Sequence, residues 1–375
     1  MLVNVTKDSL VNALQHVLKA ISVNSPMPIL AGINIQANAN GLIFTASNTS
    51  MTIQYRIPQD NSSMTVQRTG GIVVPARYFN EIIRKLNAGL VTFEMNENLI
   101  LTITSENSQI RLCGMDSADF PSIHFSDHHS SNKIQINNAL LKSAIKQVAI
   151  AASTSETRPV LTGVSFEFNG ASLNLVATDG IRLASRTLHI GKSANTSTNV
   201  IIPGRNLFEV HKMLSDEDDI TEIEVGTNQI RFITNELQVQ SALIEGVYPS
   251  IQNVIPQSYL SEVTVETSSL LHAVERVAIL AGESIIRLVA TTHKLDLLSR
   301  TAEIGDVQDE VPLTEMIGED FIISLNGKFF IDILRCMDNE YVRLRFTGKA
   351  SPIVILPADA RLSTLFLITP VRTHN

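Results

Sequence analysis

Tryptophan is absent from the 375 residues, and aromatic residues make up only 5%. The cores must therefore be aliphatic. Cysteine is almost absent: Cys113 and Cys336 stand in separate apolar stretches, neither with a CxxC neighbour. This excludes a disulfide framework or a zinc ribbon, and both read as small core residues in a reducing compartment. Positive charge is not in excess either. The formal net charge of -8 counts against a plain nucleic-acid binder unless charge is segregated along the chain. No apolar run approaches the roughly 18–20 residues needed to cross a bilayer. The opening "MLVNVTKDSL" lacks a basic segment leading into an apolar one, so a cytoplasmic location is expected. Hydrophobic residues reach 44%, which excludes disorder as the default.

Catalytic signatures are lacking as well. GxSxG, HExxH and GxGxxG do not occur, and "FTGKAS" (346–351) lacks the preceding glycine of a phosphate loop. The acidic run Asp216, Glu217, Asp218, Asp219 has no EF-hand spacing and follows a helical pattern, so it reads as a solvated turn. His128 and His129, in a Ser/Asp-rich linker, read as a solvated pair. Asp179 lies in "LVATDGIRLAS" (175–185), where Asp-Gly between two strand-like runs signals a hairpin, because Gly accepts positive φ and Asp tolerates it. An enzyme working through Asp179 or His293 would need an acid/base pair or a nucleophile, and none is visible. No catalytic residue, metal site or cofactor is expected.

What the chain does contain is itself, three times. "SLVNALQHVLKAIS" (9–22) returns as "LLKSAIKQVAIAAS" (140–153) and "SLLHAVERVAILAG" (269–282). "MPILAGINI" (27–35) returns as "RPVLTGVSF" (158–166). "VVPARYFNEIIRKL" (73–86) returns as "IIPGRNLFEVHKML" (201–214) and more weakly as "ISLNGKFFIDILRCM" (323–337). The offsets are domain-sized: Leu10 to Leu141 is 131, Arg77 to Arg205 is 128, Ala13 to Ala273 is 260. Three modules follow, 1–128, 133–257 and 260–375, with polar linkers around 125–135 and 256–262. In each, a first helix of about four turns has apolar residues at helical spacing (Leu10, Ala13, Leu14, Val17, Ile21), with Thr6, Asn137 or Thr267 near the cap position. Strands alternate with period two, as in Val91/Phe93/Met95 and Leu99/Leu101/Ile103. Second helices are expected at 76–87, 204–214 and 327–337. The fold class is α+β, two helices packed on antiparallel sheet in each module, with one helix per half suggesting an internal two-fold.

Charge is segregated. The six helical segments carry twelve Lys/Arg and five Asp/Glu, a net of +7, so the remainder must carry -15 to reach -8. Cationic helix faces can meet phosphates while strands and loops stay acidic; equally, Lys and Arg are good helix formers that solubilise a surface. With no aromatic interleaving, helix-turn-helix or zinc finger, any DNA contact would be to backbone and carry no sequence information.

Taken together, the triplicate module, "ATDGIRLA" (177–184), "ETRPVLTGV" (156–164), "YPSIQNVIP" (248–256) and "LFLITPVRT" (365–373) resemble the β subunit of bacterial DNA polymerase III, the sliding-clamp family, in a Firmicute-like form and over essentially the whole length. The resemblance implies the ring-forming DNA clamp fold: a head-to-tail homodimer that encircles duplex DNA without sequence specificity, acts in DNA replication as a non-catalytic processivity factor, and is served by a clamp loader. Twelve helices side by side at ~9–10 Å leave a hole of roughly 25 Å, wider than a duplex. It implies DNA-facing residues Lys19, Arg77, Arg84, Lys142, Lys146, Arg205, Lys212, Arg276 and Lys328. It also implies a groove for short apolar peptides of DNA polymerase and repair proteins, made by Leu161, Thr178, Gly180, Ile181, Arg182, Leu183, Pro249, Val254, Leu367, Ile368, Thr369, Pro370, Val371 and Arg372, with Arg182 or polar backbone orienting the peptide. Many members have His where this chain has Ile181, and some have Arg where it has Asn253. A specialised or non-encircling paralogue, acting as a peptide-binding scaffold for replication and repair proteins, is the alternative.

Overall fold

The computed structural model describes residues 1–22, 27–60, 62–121, 133–190, 197–216, 219–301, 304–359 and 363–372. His128, His129, Glu217 and Asp218 lie outside them.

The first repeat runs β1 (Leu2–Thr6), α1 (Lys7–Val17), β2 (Gly32–Asn38), β3 (Gly41–Ser47), β4 (Met51–Pro58), β5 (Met64–Arg68), β6 (Gly70–Pro75), α2 (Ala76–Lys85), β7 (Leu90–Met95), β8 (Ile100–Ser105), β9 (Ser108–Cys113) and β10 (Met115–Asp116). The second runs β11 (Lys133–Asn137), α3 (Asn138–Ala149), β12 (Gly163–Asn169), β13 (Ser172–Thr178), β14 (Arg182–His189), β15 (Thr198–Pro203), α4 (Gly204–Met213), β16 (Ile220–Val225), β17 (Gln229–Ile233) and β18 (Leu237–Ala242). The third runs β19 (Ser261–Glu266), α5 (Thr267–Ala278), β20 (Ile285–Ala290), β21 (Lys294–Thr301), β22 (Gly305–Pro312), β23 (Glu315–Gly318), β24 (Phe321–Asn326), α6 (Gly327–Arg335), β25 (Tyr341–Phe346), β26 (Ile353–Pro357) and β27 (Thr364–Ile368). This is the expected α+β plan, with two helices per repeat.

The internal two-fold shows in the strand pairing. In the first repeat β1 pairs with β7, and β6, the opening strand of the second half, pairs with β2. The same exchange recurs as β11 with β16 and β15 with β12, then as β19 with β25 and β24 with β20.

The chain divides into two compact units, Met1–Ala139 with Lys212–Leu243, and Leu140–His211 with Ile244–Asn375. Neither coincides with a repeat, because sheets run through the repeat borders. In the first unit β4 pairs antiparallel with β18 (Tyr55 opposite Leu237), which extends β10-β6-β2-β3-β4 into β18-β17-β16-β11. In the second unit β14 pairs with β27 (Arg186 opposite Thr364), which extends β15-β12-β13-β14 into β27-β26-β25-β19-β23. Each unit also holds a smaller sheet, β5-β1-β7-β8-β9 in the first and β22-β21-β20-β24 in the second. Their edge strands are β5 and β9 in the first and β22 and β24 in the second.

Helix packing follows the apolar periodicity. Leu10, Ala13, Leu14 and Val17 of α1 are buried, and Phe79 of α2 meets Phe93 with ring centroids 5.7 Å apart. In the second unit Leu270, Ala273, Val274 and Val277 of α5 and Phe330, Ile333 and Leu334 of α6 form the matching face.

Two local expectations are corrected, at Cys113 and Leu99, and the helix starts are located. Cys336 is buried but Cys113 is exposed, because it ends the edge strand β9 on its outward side. Thr6 does cap α1, accepting from the Ser9 N–H at 3.4 Å. Thr267 is the first residue of α5, next to the N-cap Glu266, whose carboxylate accepts from the Ser268 and Ser269 hydroxyls. Leu99, expected in a strand, holds a turn with φ +56° ahead of β8.

Candidate functional site

The 175–185 stretch folds as the sequence suggests. β13 ends at Thr178, β14 starts at Arg182, and Gly180 takes φ +91°, a conformation costly for any residue with a Cβ. Asp179 works locally: its Oδ1 accepts the N–H groups of Ile181 and Arg182, both at 2.9 Å. The exposed tip is then fixed from the chain end, where Thr369 donates both its N–H and its hydroxyl to the Ile181 carbonyl, each at 2.9 Å.

Two apolar clusters lie beneath this turn. Leu183, Val354 and Leu367 form one, with Ile251, Ile255, Leu356 and Leu365 packed against it. Leu161, Val176, Ile201 and Tyr248 form the other, with Val160, Ile244 and Ile251. Ile251 belongs to both, so the floors are continuous. The rim is unusually apolar for an exposed surface: Ile181 is 51% and Val254 49% exposed, and Pro249 is also exposed. Polar backbone beside the floor is satisfied. The Tyr248 hydroxyl accepts the Thr178 N–H at 2.9 Å and donates to the Gly163 carbonyl at 3.4 Å. Burial pushes the Tyr248 phenol up to about 12, so it is a neutral hydrogen-bonding group across the physiological range.

Most of the residues foreseen for a groove are brought together here. Leu161, Leu183 and Leu367 make its floor, and Thr178, Gly180, Ile181, Pro249 and Val254 surround it. Thr369, Pro370 and Val371 are half-buried along the terminal segment, and Arg372 is exposed. Ile368 is not part of it: it alternates with Leu367 on β27 and is fully buried outside that cluster. Arg182 is also engaged elsewhere. Its side chain is 11% exposed, with Nε 3.1 Å from Asp179 Oδ2 and Nη1 3.0 Å from Asp332 Oδ2, and its guanidinium lies 4.1 Å over the Phe329 ring. Tyr248, Ile251, Ile255, Val354, Phe329 and Asp332 were missed. Tyr248, Ile251 and Ile255 lie within "YPSIQNVIP", where the four-residue spacing of the isoleucines was an available signal.

A cavity of about 600 Å³ adjoins Arg182, lined also by Ile150, Pro159, Thr162, Phe208 and Ile244, with Lys146 and Arg205 at the same cavity. The other foreseen DNA-facing residues lie on or beside the helices. Arg77, Arg84, Lys212, Arg276 and Lys328 are exposed, while Lys19, Lys142 and Lys146 are half-buried. Several are ion-paired: Arg77 with Glu81 at 3.5 Å, Lys146 with Asp338 at 3.3 Å and Arg276 with Asp309 at 2.5 Å. No group of three or more metal-ligating side chains occurs among the described residues, and none of the helices is long and apolar enough to cross a membrane.

Comparison with known proteins agrees with this organisation. Residues 1–124, 135–250 and 252–370 match the N-terminal, central and C-terminal domains of the DNA polymerase III beta subunit. The beta sliding clamp of Bacillus subtilis is 35% identical over 379 residues, covering 99% of each chain. That of Staphylococcus aureus is 34% identical over 376 residues, again covering 99% of each. The crystal structure of the Bacillus subtilis clamp superposes with a TM-score of 0.93 over 100% of both chains at 34% identity. A Pseudomonas aeruginosa clamp bound to griselimycin gives 0.92 at 25% identity, again over all of both chains. The chain belongs to the bacterial DNA polymerase III beta subunit, or beta sliding clamp, family.

Proposed function

We propose that two copies of this chain close head to tail around duplex DNA and tether replication and repair proteins, without catalysing a reaction, through the groove whose floor includes Leu183 of β14 and Leu367 of β27. The observation that carries the reading is full-length family membership together with β9 and β22, two sheet edges that no strand covers among the described residues. Inside the chain, β4 pairs with β18 and β14 with β27. The third-repeat counterpart of β4 and β14 is β22. Tyr55 on β4 stacks on His16 of α1, Arg186 on β14 bonds Gln147 of α3, and Asp309 on β22 pairs with Arg276 of α5. The first-repeat counterpart of β18 and β27 is β9. Both β9 and β22 end their sheets, and unpaired edges are templates for another chain. Carrying over the register of Tyr55 with Leu237 places Ser108 of one copy opposite Asp309 of the other, Ile110 opposite Val307 and Arg111 opposite Asp306. Such a contact is heterologous and closes as a ring when its rotation permits.

Exposed Arg77, Arg84, Arg205, Lys212 and Lys328 supply diffuse phosphate attraction, which suits sliding better than tight binding. In the groove, each buried Leu or Phe anchor of a partner contributes roughly 1.5–3 kcal/mol. Ile181 in place of a polar residue at the rim favours wholly apolar anchors. The test is light scattering with and without a polymerase-derived peptide, followed by retention on circular and linear DNA after loading. A dimer retained on circles alone is expected. A chain-sized species at micromolar concentration, or equal retention on both DNA forms, overturns encirclement.

A further inference from the structure

The turn that forms one rim of the groove is held from outside its own hairpin. Asp179 and Arg182 are three residues apart, so their 3.1 Å ion pair closes the turn on itself and cannot place it against anything else. That placement comes from two sides: Thr369 bonds the Ile181 carbonyl twice, and α6 holds Arg182. Phe329 and Asp332 are also three residues apart and share one helix face; there the ring carries the Arg182 guanidinium at 4.1 Å and the carboxylate takes Nη1 at 3.0 Å. The terminal segment along the groove is tied to the same place, since the Val371 N–H donates to the Ser324 carbonyl at 2.8 Å on the strand that leads into α6. The turn and the terminal segment are thus both referred to residues 324–332, although none of these contributes to the two floor clusters.

We propose that Asp332 is a positioning residue for the peptide groove, holding the 179–182 turn in its receiving shape through Arg182. This rests on the groove reading above. Two carboxylates already neutralise Arg182, so it serves the partner indirectly, by presenting Ile181 and Gly180 at a fixed height over Leu183 and Leu367. With Asp332 neutralised, the turn keeps its internal bonds and its Thr369 anchor but loses the α6 anchor, and the bound peptide must then supply the ordering that the free protein lacks.

The experiment uses the full chain and a fluorescein-labelled octapeptide carrying a Leu-Phe pair, read by fluorescence anisotropy, with sedimentation recording the oligomer. Asp332→Asn should weaken binding about fivefold, at the low end of ordinary site-to-site coupling, with oligomer and melting temperature close to those of the unaltered chain. Asp332→Glu should recover most of that loss. In an Arg182→Met background Asp332→Asn should cost nothing more, as expected of residues acting as one unit. Binding of Asp332→Asn within twofold of the unaltered chain, or a loss that persists in the Arg182→Met background, overturns the proposal. If the unaltered chain fails to bind the octapeptide, the groove reading itself falls and this inference with it.

Discussion

Reversing the charge at Arg111 should loosen the ring in a way that a second reversal repairs. Arg111 points outward from the edge strand β9, and Asp306 points outward from β22. The register carried over from β4 and β18 sets them opposite each other across the junction between copies. Directly opposed unlike charges on neighbouring strands stabilise by up to ~1 kcal/mol, and like charges destabilise by a similar amount. Both side chains are solvated, so about half of each is retained. Arg111→Asp then costs roughly 1 kcal/mol at each junction, and the two junctions of a closed dimer bring this to ~2 kcal/mol, a dissociation constant about 30-fold higher. Analytical ultracentrifugation across a dilution series measures it directly. Arg111→Asp with Asp306→Arg should return the constant to within a few-fold of its starting value, and raising the salt should shrink both effects. An unchanged constant for the single variant, or no recovery in the double, would refute the edge-to-edge register.

Leu367→Ala should destabilise the second unit by about 2–5 kcal/mol, because it empties a site shared with Leu183 and Val354; chemical denaturation followed by circular dichroism checks this. Tyr248 has a folded pKa of about 12, above its ordinary value, because it is buried. A phenol protonated more strongly in the fold contributes stability that is intact below pH ~10 and is lost as pH rises from there toward 12. Tyr55 is shifted in the same direction, so Tyr248→Phe should flatten part of the alkaline decline and leave the Tyr55 part. Burial also raises the Cys336 thiol to about 12. A thiol reagent at neutral pH should therefore modify Cys113 alone in the native protein and both cysteines after denaturation.

The helices and the triplication were legible because both are local: apolar spacing within fifteen residues marks α1, and matching strings mark its copies. The hairpin at Asp179 was equally local. The joining of β4 to β18 was not, since it pairs Tyr55 with Leu237 and alternation says nothing about which strand lies alongside. Cys113 failed for the same reason, because period two reports two faces but does not reveal an edge. At the groove, the leucines of the floor were found from the family's pattern. The commitment of Arg182 to Asp332 was hidden, because an ion pair 150 residues apart in sequence leaves no mark on either segment.

The sheets that pass through repeat borders limit how such a gene can be cut and recombined. A fragment ending near residue 130 would keep β4 but forfeit β18, and with it the bonds from Leu237 to Tyr55 through Ser241 to Met51. Its raw margin would then be open to any passing strand. Exchange of whole repeats between relatives carries the same liability at every seam. Grafts joined at Ala139, Lys212 and Leu243, where the compact units part, would leave each sheet whole.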